Sequence, residues 1–291
     1  MRFASYRAAQ GERAAVALEG AVYDVAEVAA AAGRSAPSTL QAFIESGALE
    51  EFRSVSARGN RARPTPLSAA TFVAPYRRPP KIWGIGLNYR AHAHDLGVTV
   101  PEEPASFMKP WTTIIGPGET IRLPVASQRV TAEAELGLVL GRRCRDLPER
   151  EAAGALFGYV TLLDMTAEDI LRRNPRFLTR AKSFPTFLSF GPWIVTPDEI
   201  PELGAVRVTT VHNGRAAASN TISDMAFSPF HLLAFFSRVF EFEPGDLLCT
   251  GTPGAVVIED GDTVACRIDG FQELVNTVAR TDPTAGREGS T

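Results

Sequence analysis

Two glutamates, Glu133 and Glu135, open an apolar run that continues through Leu136, Gly137, Leu138 and Val139 to Leu140. In a strand, alternate residues share a face. Glu133, Glu135 and Gly137 then line one side, and Leu136, Leu138 and Leu140 the other. The two carboxylates stand roughly 7 Å apart along the strand. On an exposed edge they would simply be solvated. Inside the protein each resists desolvation and repels the other, and a cation between them removes both costs. The unbroken apolar face beside them favours the buried alternative.

A third carboxylate, Asp164, ends the run GYVTLLD at 158–164. At the end of a buried strand it would face a ligand cleft; the alternative is an N-cap for a helix starting near Thr166. Three carboxylates without Cys or His are hard oxygen ligands, suited to Mg²⁺, Mn²⁺ or Ca²⁺ and not to zinc or copper. Two of the four histidines, His92 and His94, fall in Asn88–Asp95. If that segment is a short helix, His92 and Asp95 lie at i and i+3. A carboxylate that holds an imidazole orients it for general-base work, although such a pair on a surface helix can also be without function. His94 points elsewhere, and His212 and His231 read as turn and helix-face residues. Lys182 sits among apolar and aromatic residues in RAKSFPTF, where a lysine is costly unless it faces an anion. The glycines and small hydroxyl residues of Pro244–Gly254 would let the backbone approach a carboxylate ligand.

Composition removes several other classes. The 291 residues carry 30 Lys and Arg against 33 Asp and Glu, a formal charge of -3. That gives no electrostatic reason to expect nucleic acid or an anionic membrane as partner. Apolar residues are 45% and charged residues 22%, as in a globular chain. The first 20 residues show no secretory pattern, and no apolar run approaches the roughly 18–20 residues of a membrane helix, so a cytoplasmic protein is expected. Cys144, Cys249 and Cys266 are widely spaced and read as small buried apolar residues. Gly84-Ile85-Gly86 lacks the third glycine of a dinucleotide site, no P-loop occurs, and Ser183 and Ser189 lack a nucleophile-elbow context.

The chain divides into a small N-terminal domain at 1–68, a larger domain at 69–282 and a flexible tail at 283–291. In the first, 13–18 and 21–24 read as a hairpin around Glu19-Gly20, 25–32 is Ala-rich, 39–48 has helical periodicity, and 54–67 reads as a linker or long loop. Beyond it, strands are expected at 81–86, 135–140, 158–163, 205–211, 246–250 and 262–268, with Asn213-Gly214 as a hairpin turn. Helices are expected at 149–156, 166–172 and 228–239. Strands and helices do not alternate regularly, so an α+β fold with a β-rich mixed sheet is favoured over a doubly wound one.

Seven segments in this order resemble the fumarylacetoacetate hydrolase family over about 81–278: KIWGIGLNYRAHAHDLG, PASFMKP, EAEL with GLVLG, GYVTLLDMTAED, RAKSFPTFLSFGPWIV, PGDLLCTGTPG and GFQELVN. The N-terminal domain is similar to that of bacterial two-domain members. The resemblance implies a β-roll-like catalytic domain, a homodimer, and Mg²⁺ or Mn²⁺ on Glu133, Glu135 and Asp164, with Ca²⁺ able to take the site in crystals. It implies a catalytic role for His92, with Asp95 where the family usually has Glu, and for Lys182. Thr252 falls in the region that binds the substrate carboxylate, and Tyr89 joins it as a candidate substrate-binding residue. Three positions depart from the family pattern: Leu163 replaces an Asn, Glu168 falls within the SARD-like stretch, and Pro185 replaces an Asp. None is a metal ligand.

The expected activity is metal-dependent hydrolysis of a C–C bond in a 1,3-dicarbonyl 2-oxo acid such as an acylpyruvate. Decarboxylation, isomerisation or tautomerisation, and hydration of a 2-oxo acid use the same site and are the alternatives. A non-catalytic small-molecule binder is the rival from another class.

Overall fold

The computed structural model describes residues 1–18, 20–56, 62–65, 69–95 and 97–281, with the backbone alone at Asp95. The turn residue Glu19, much of the expected linker (57–61, 66 and 67), Ser68 and the expected tail (283–291) lie outside the described residues.

Twelve strands form one mixed sheet. Its main path runs Ala21–Asp24, Gly11–Leu18, Arg2–Ala8, Leu188–Val195, Leu156–Ala167, Val130–Leu140, Leu247–Cys249, Ile82–Gly86 and Ala105–Met108. Neighbours on this path are antiparallel except Leu247–Cys249, which runs parallel to Ile82–Gly86. A second sheet of five strands runs Arg215–Thr221, Arg207–His212, Thr263–Ile268, Leu274–Arg280 and Thr120–Leu123. Leu136, Val208, Cys266, Ile268 and Leu274 belong to one apolar cluster that joins the two sheets. The helices are short and do not alternate with parallel strands, which makes the fold α+β.

The two strands that carry the acids are longer than their apolar runs suggest. Val130–Leu140 has 11 residues and Leu156–Ala167 has 12, and both are buried on both faces. Strands buried on both sides read as continuous apolar runs, so the polar positions within them mark either a partner or a site. The helix expected at 166–172 starts only at Glu168, because the strand continues through Ala167. Ala167 stands at its N-cap, so Asp164 lies within the strand and caps nothing. The segment at 149–156 forms 3-10 turns over Glu149–Ala155 instead of an α-helix. At Asn213-Gly214 the φ angles of 48° and 77° make the expected hairpin turn.

The N-terminal segment joins the main sheet. Arg2–Ala8 pairs with Leu188–Val195, Arg2 opposite Val195. Phe3 packs 5.2 Å from Phe157 and 5.4 Å from Phe43, ring centre to ring centre. Among the described residues, no helix is long and apolar enough to cross a membrane.

Candidate metal centre

In the antiparallel pair Val130–Leu140 and Leu156–Ala167, Asp164 lies directly opposite Glu133. Residues directly opposite in such a pair share a face, and Glu135 shares it by alternation. The three carboxylates therefore converge, each offering an oxygen within 4.8 Å of the others. Glu135 is 1% exposed and Asp164 0%, so water does little to screen their repulsion.

Two buried lysines answer part of this charge. Lys182, at the end of the helix Leu178–Lys182, places Nζ 2.9 Å from Glu133 Oε2 and 2.8 Å from Asp164 Oδ2. Lys109, just past the strand Ala105–Met108, donates to Asp164 Oδ1 at 2.5 Å. Burial alone would raise Asp164, but Lys109 and Lys182 hold it below the usual carboxylate value. Burial would lower Lys182, yet the charges of Asp164 and Glu133 push it up. Glu135 has less help: among the described residues no cation lies within ion-pair distance of it, and the charge of Lys182 only partly opposes its shift. It accepts the Gly251 N–H at 2.8 Å. Burial, then the charge of Asp164, push it well above the ordinary value for Glu. A cluster of oxygen donors with one poorly compensated buried carboxylate fits a hard divalent cation, which adds the charge that the lysines leave short.

The platform under Lys182 is also built. Its Nζ lies 4.7 Å from the centre of the Phe107 ring, a cation–π distance. That ring covers Gly84, where an added Cβ would stand 2.2 Å from Phe107 Cζ. The first glycine of Gly84-Ile85-Gly86 thus makes room for an aromatic ring. Gly84→Ala is expected to overpack the site by about 1–3 kcal/mol, lowering the melting temperature and displacing Lys182. A variant with unchanged thermal melting and turnover would contradict that packing role.

His92 lies on the helix Arg90–Asp95, half-buried, with Nδ1 3.8 Å from where a Cβ on Gly254 would stand. The base of this helix is fastened. Asn88 Nδ2 donates to the carbonyls of Thr250 and Phe227, and its Oδ1 accepts the Phe227 N–H. Arg90 donates to the carbonyls of Asp224, Met225 and Ala226. The Asp95 side chain, and with it the expected pairing to His92, lies outside the described residues.

Tyr89 is wholly enclosed, and its hydroxyl makes no hydrogen bond with the described residues. The Thr252 hydroxyl donates to the Gly254 carbonyl at 3.0 Å and accepts the Gly254 N–H at 3.1 Å. Its single proton is thus spent within its own loop, and it shapes that loop. Of the positions that depart from the family pattern, Leu163 is fully buried next to Asp164, and Glu168 pairs with Arg129 and Arg172. Pro185 is exposed. All three cysteines are buried and free, as expected. Lys109 was not singled out from the sequence. The signal that marked Lys182, a lysine among aromatic and apolar residues, is present again in Phe107-Met108-Lys109-Pro110.

Fold and site together define a strand-rich α+β protein built around a buried acidic centre whose donors fit a hard cation. Residues 81–279 match the model of the fumarylacetoacetate hydrolase C-terminal domain, and the chain belongs to the fumarylacetoacetate hydrolase family. It is 33% identical over 253 residues to human mitochondrial oxaloacetate tautomerase FAHD2A, a match that spans 83% of this chain and 80% of the relative. A crystal structure of 5-carboxymethyl-2-hydroxymuconate delta-isomerase from Mycobacterium smegmatis superposes with TM-score 0.77 at 31% identity, covering 97% of this chain and 100% of that one. Maleylpyruvate hydrolase from Sphingobium sp. SYK-6, solved with manganese(II) and pyruvate, superposes with TM-score 0.78 at 25% identity over the same shares.

Proposed function

We propose that this chain is an enzyme that binds a 2-oxo acid at the acidic centre with Mg²⁺ or Mn²⁺ and passes through its enolate. The observation that carries this is the convergence of Glu133, Glu135 and Asp164 on one buried face, with Lys182 bridging two of them. Glu133, Glu135 and Asp164 would hold the cation. Once bound, it supplies positive charge to the substrate's carboxylate and 2-oxo oxygens and so lowers the cost of the enolate. Lys182, which touches two of the acids, donates hydrogen bonds to the same developing charge. His92, on its anchored helix, moves the proton. The manganese and pyruvate of the Sphingobium hydrolase support both the metal and the substrate class.

Taken first is hydrolysis of an acylpyruvate-like 1,3-dicarbonyl acid. His92 takes a proton from water, the oxygen attacks the distal carbonyl, and the C–C bond breaks to give a carboxylic acid and the enolate, which is then protonated to the 2-oxo acid. A second reading, tautomerisation of a 2-oxo acid such as oxaloacetate, needs only the proton transfer at carbon. It is favoured by the identity to the human tautomerase. Proton NMR of a panel of acylpyruvates and oxaloacetate, with and without chelator, separates the two. Hydrolysis yields two new acids, tautomerisation only speeds the approach of freshly dissolved substrate to its keto–enol equilibrium, and chelator stops either. Tight binding without turnover across the panel would make the chain a binder and overturn the proposal.

A further inference from the structure

The two lysines at the centre occupy different places. Lys182 touches two of the acids, Glu133 and Asp164. The Lys109 side chain is completely buried, and so is that of Asp164, its only ion-pair partner among the described residues. Lys109 Nζ also lies 3.4 Å from the Met165 carbonyl, and its own backbone N–H is tied to the Ile82 carbonyl. The oxygens of Asp164 are therefore divided: Oδ1 is held by Lys109, and Oδ2 is held by Lys182.

From this division, and resting on the proposed metal site, we propose that Lys109 is a positioning residue. It holds Oδ1 from the fully buried side, fixes the rotation of the carboxylate and leaves Oδ2, which is shared only with the less deeply buried Lys182, as the oxygen a cation would take. A charge-assisted bond between two fully buried groups is short and directional, and partners that orient metal-ligating carboxylates commonly change affinity or activity 10–100-fold when removed. Lys109 has a second effect that a neutral partner would lack. Its positive charge opposes the incoming cation, so it orients the ligand while weakening the pull of the site.

These two effects separate in Lys109→Met. Binding of Mn²⁺, followed by the electron paramagnetic resonance signal of the free ion, is expected to be at least as tight as in the wild type, because lost orientation is offset by lost repulsion. The kcat is expected to fall 10–100-fold, because a freely turning Asp164 no longer fixes where the substrate oxygens meet the cation. A packing role alone would lower both together or neither, and either result overturns the proposal. Should the variant not fold, crystals of the wild type with Mn²⁺ decide. Asp164 is expected to bind through Oδ2 alone with Oδ1 still on Lys109; binding through both oxygens, or a carboxylate turned from Lys109, would overturn the role. A wild type that takes up no Mn²⁺ would instead overturn the metal site on which the role rests.

Discussion

Replacing Glu135 by glutamine is expected to stabilise the metal-free protein and to weaken Mn²⁺ binding about a hundredfold or more. Both effects come from one buried charge. Without a cation, Glu135 faces Asp164 and Glu133 with the Gly251 N–H as its one hydrogen-bond partner among the described residues. Glutamine keeps an oxygen for that N–H and removes the charge. A gain of about 1 kcal/mol would raise the melting temperature by roughly 2–4 °C in a domain of this general size. The same carboxylate is the least compensated donor for a divalent ion, so its loss falls heavily on affinity. The pH dependence has a definite sign. Burial and neighbouring acids raise Glu135 above its ordinary value of 4.5, so the folded form holds this proton more tightly than the unfolded chain. Its contribution to stability is therefore full at acid pH and is lost as the pH rises from about that value toward the folded one. Melting curves of metal-free wild type and Glu135→Gln across this range check it. A variant that melts lower at neutral pH and binds Mn²⁺ normally would contradict the description of the cluster.

His92→Ala is expected to lower kcat by about 10²–10⁴, the usual range for a general acid or base, while Mn²⁺ affinity stays as in the wild type. His92 is absent from the acidic cluster, so metal binding does not depend on it. Its helix is fixed at the base through Asn88 and Arg90, and neither anchor uses the imidazole. The substitution should therefore leave the fold in place and remove only the proton transfer. Turnover measured beside a Mn²⁺ titration separates the two. Undiminished turnover would exclude His92 as the proton carrier, and a parallel loss of metal would make its role structural.

The acidic centre was legible in the sequence because alternation fixes which residues of a strand share a face. That rule places Glu133 and Glu135 together from spacing alone. Asp164 is different: its place opposite Glu133 depends on the register between two strands, which no local pattern contains. Its N-cap alternative disappeared once the strand was seen to run through Ala167. The first strand, Arg2–Ala8, was missed: RFASYRA shows no clean alternation, and although it forms a hairpin with the neighbouring Gly11–Leu18, the partner that ties it into the main sheet, Leu188–Val195, lies far along the chain. Lys109 was passed over for a related reason. A lysine in an apolar stretch can be marked as costly from sequence, but only the tertiary structure brings its Nζ to Asp164. At Tyr89 and Thr252 the fold adds surroundings that no local pattern contains. Their polar ends suit a ligand, yet the fold encloses one in the core and closes the other on its own loop.

The central claim is that Glu133, Glu135 and Asp164 share one divalent ion. Anomalous scattering from crystals soaked in Mn²⁺ tests it most directly. The expected map holds a single strong peak among the three carboxylates, beside Lys182, and chelator removes it. A map with manganese only at surface acids, and Lys182 still closed on an empty cluster, would contradict the metal centre and the enolate chemistry built on it.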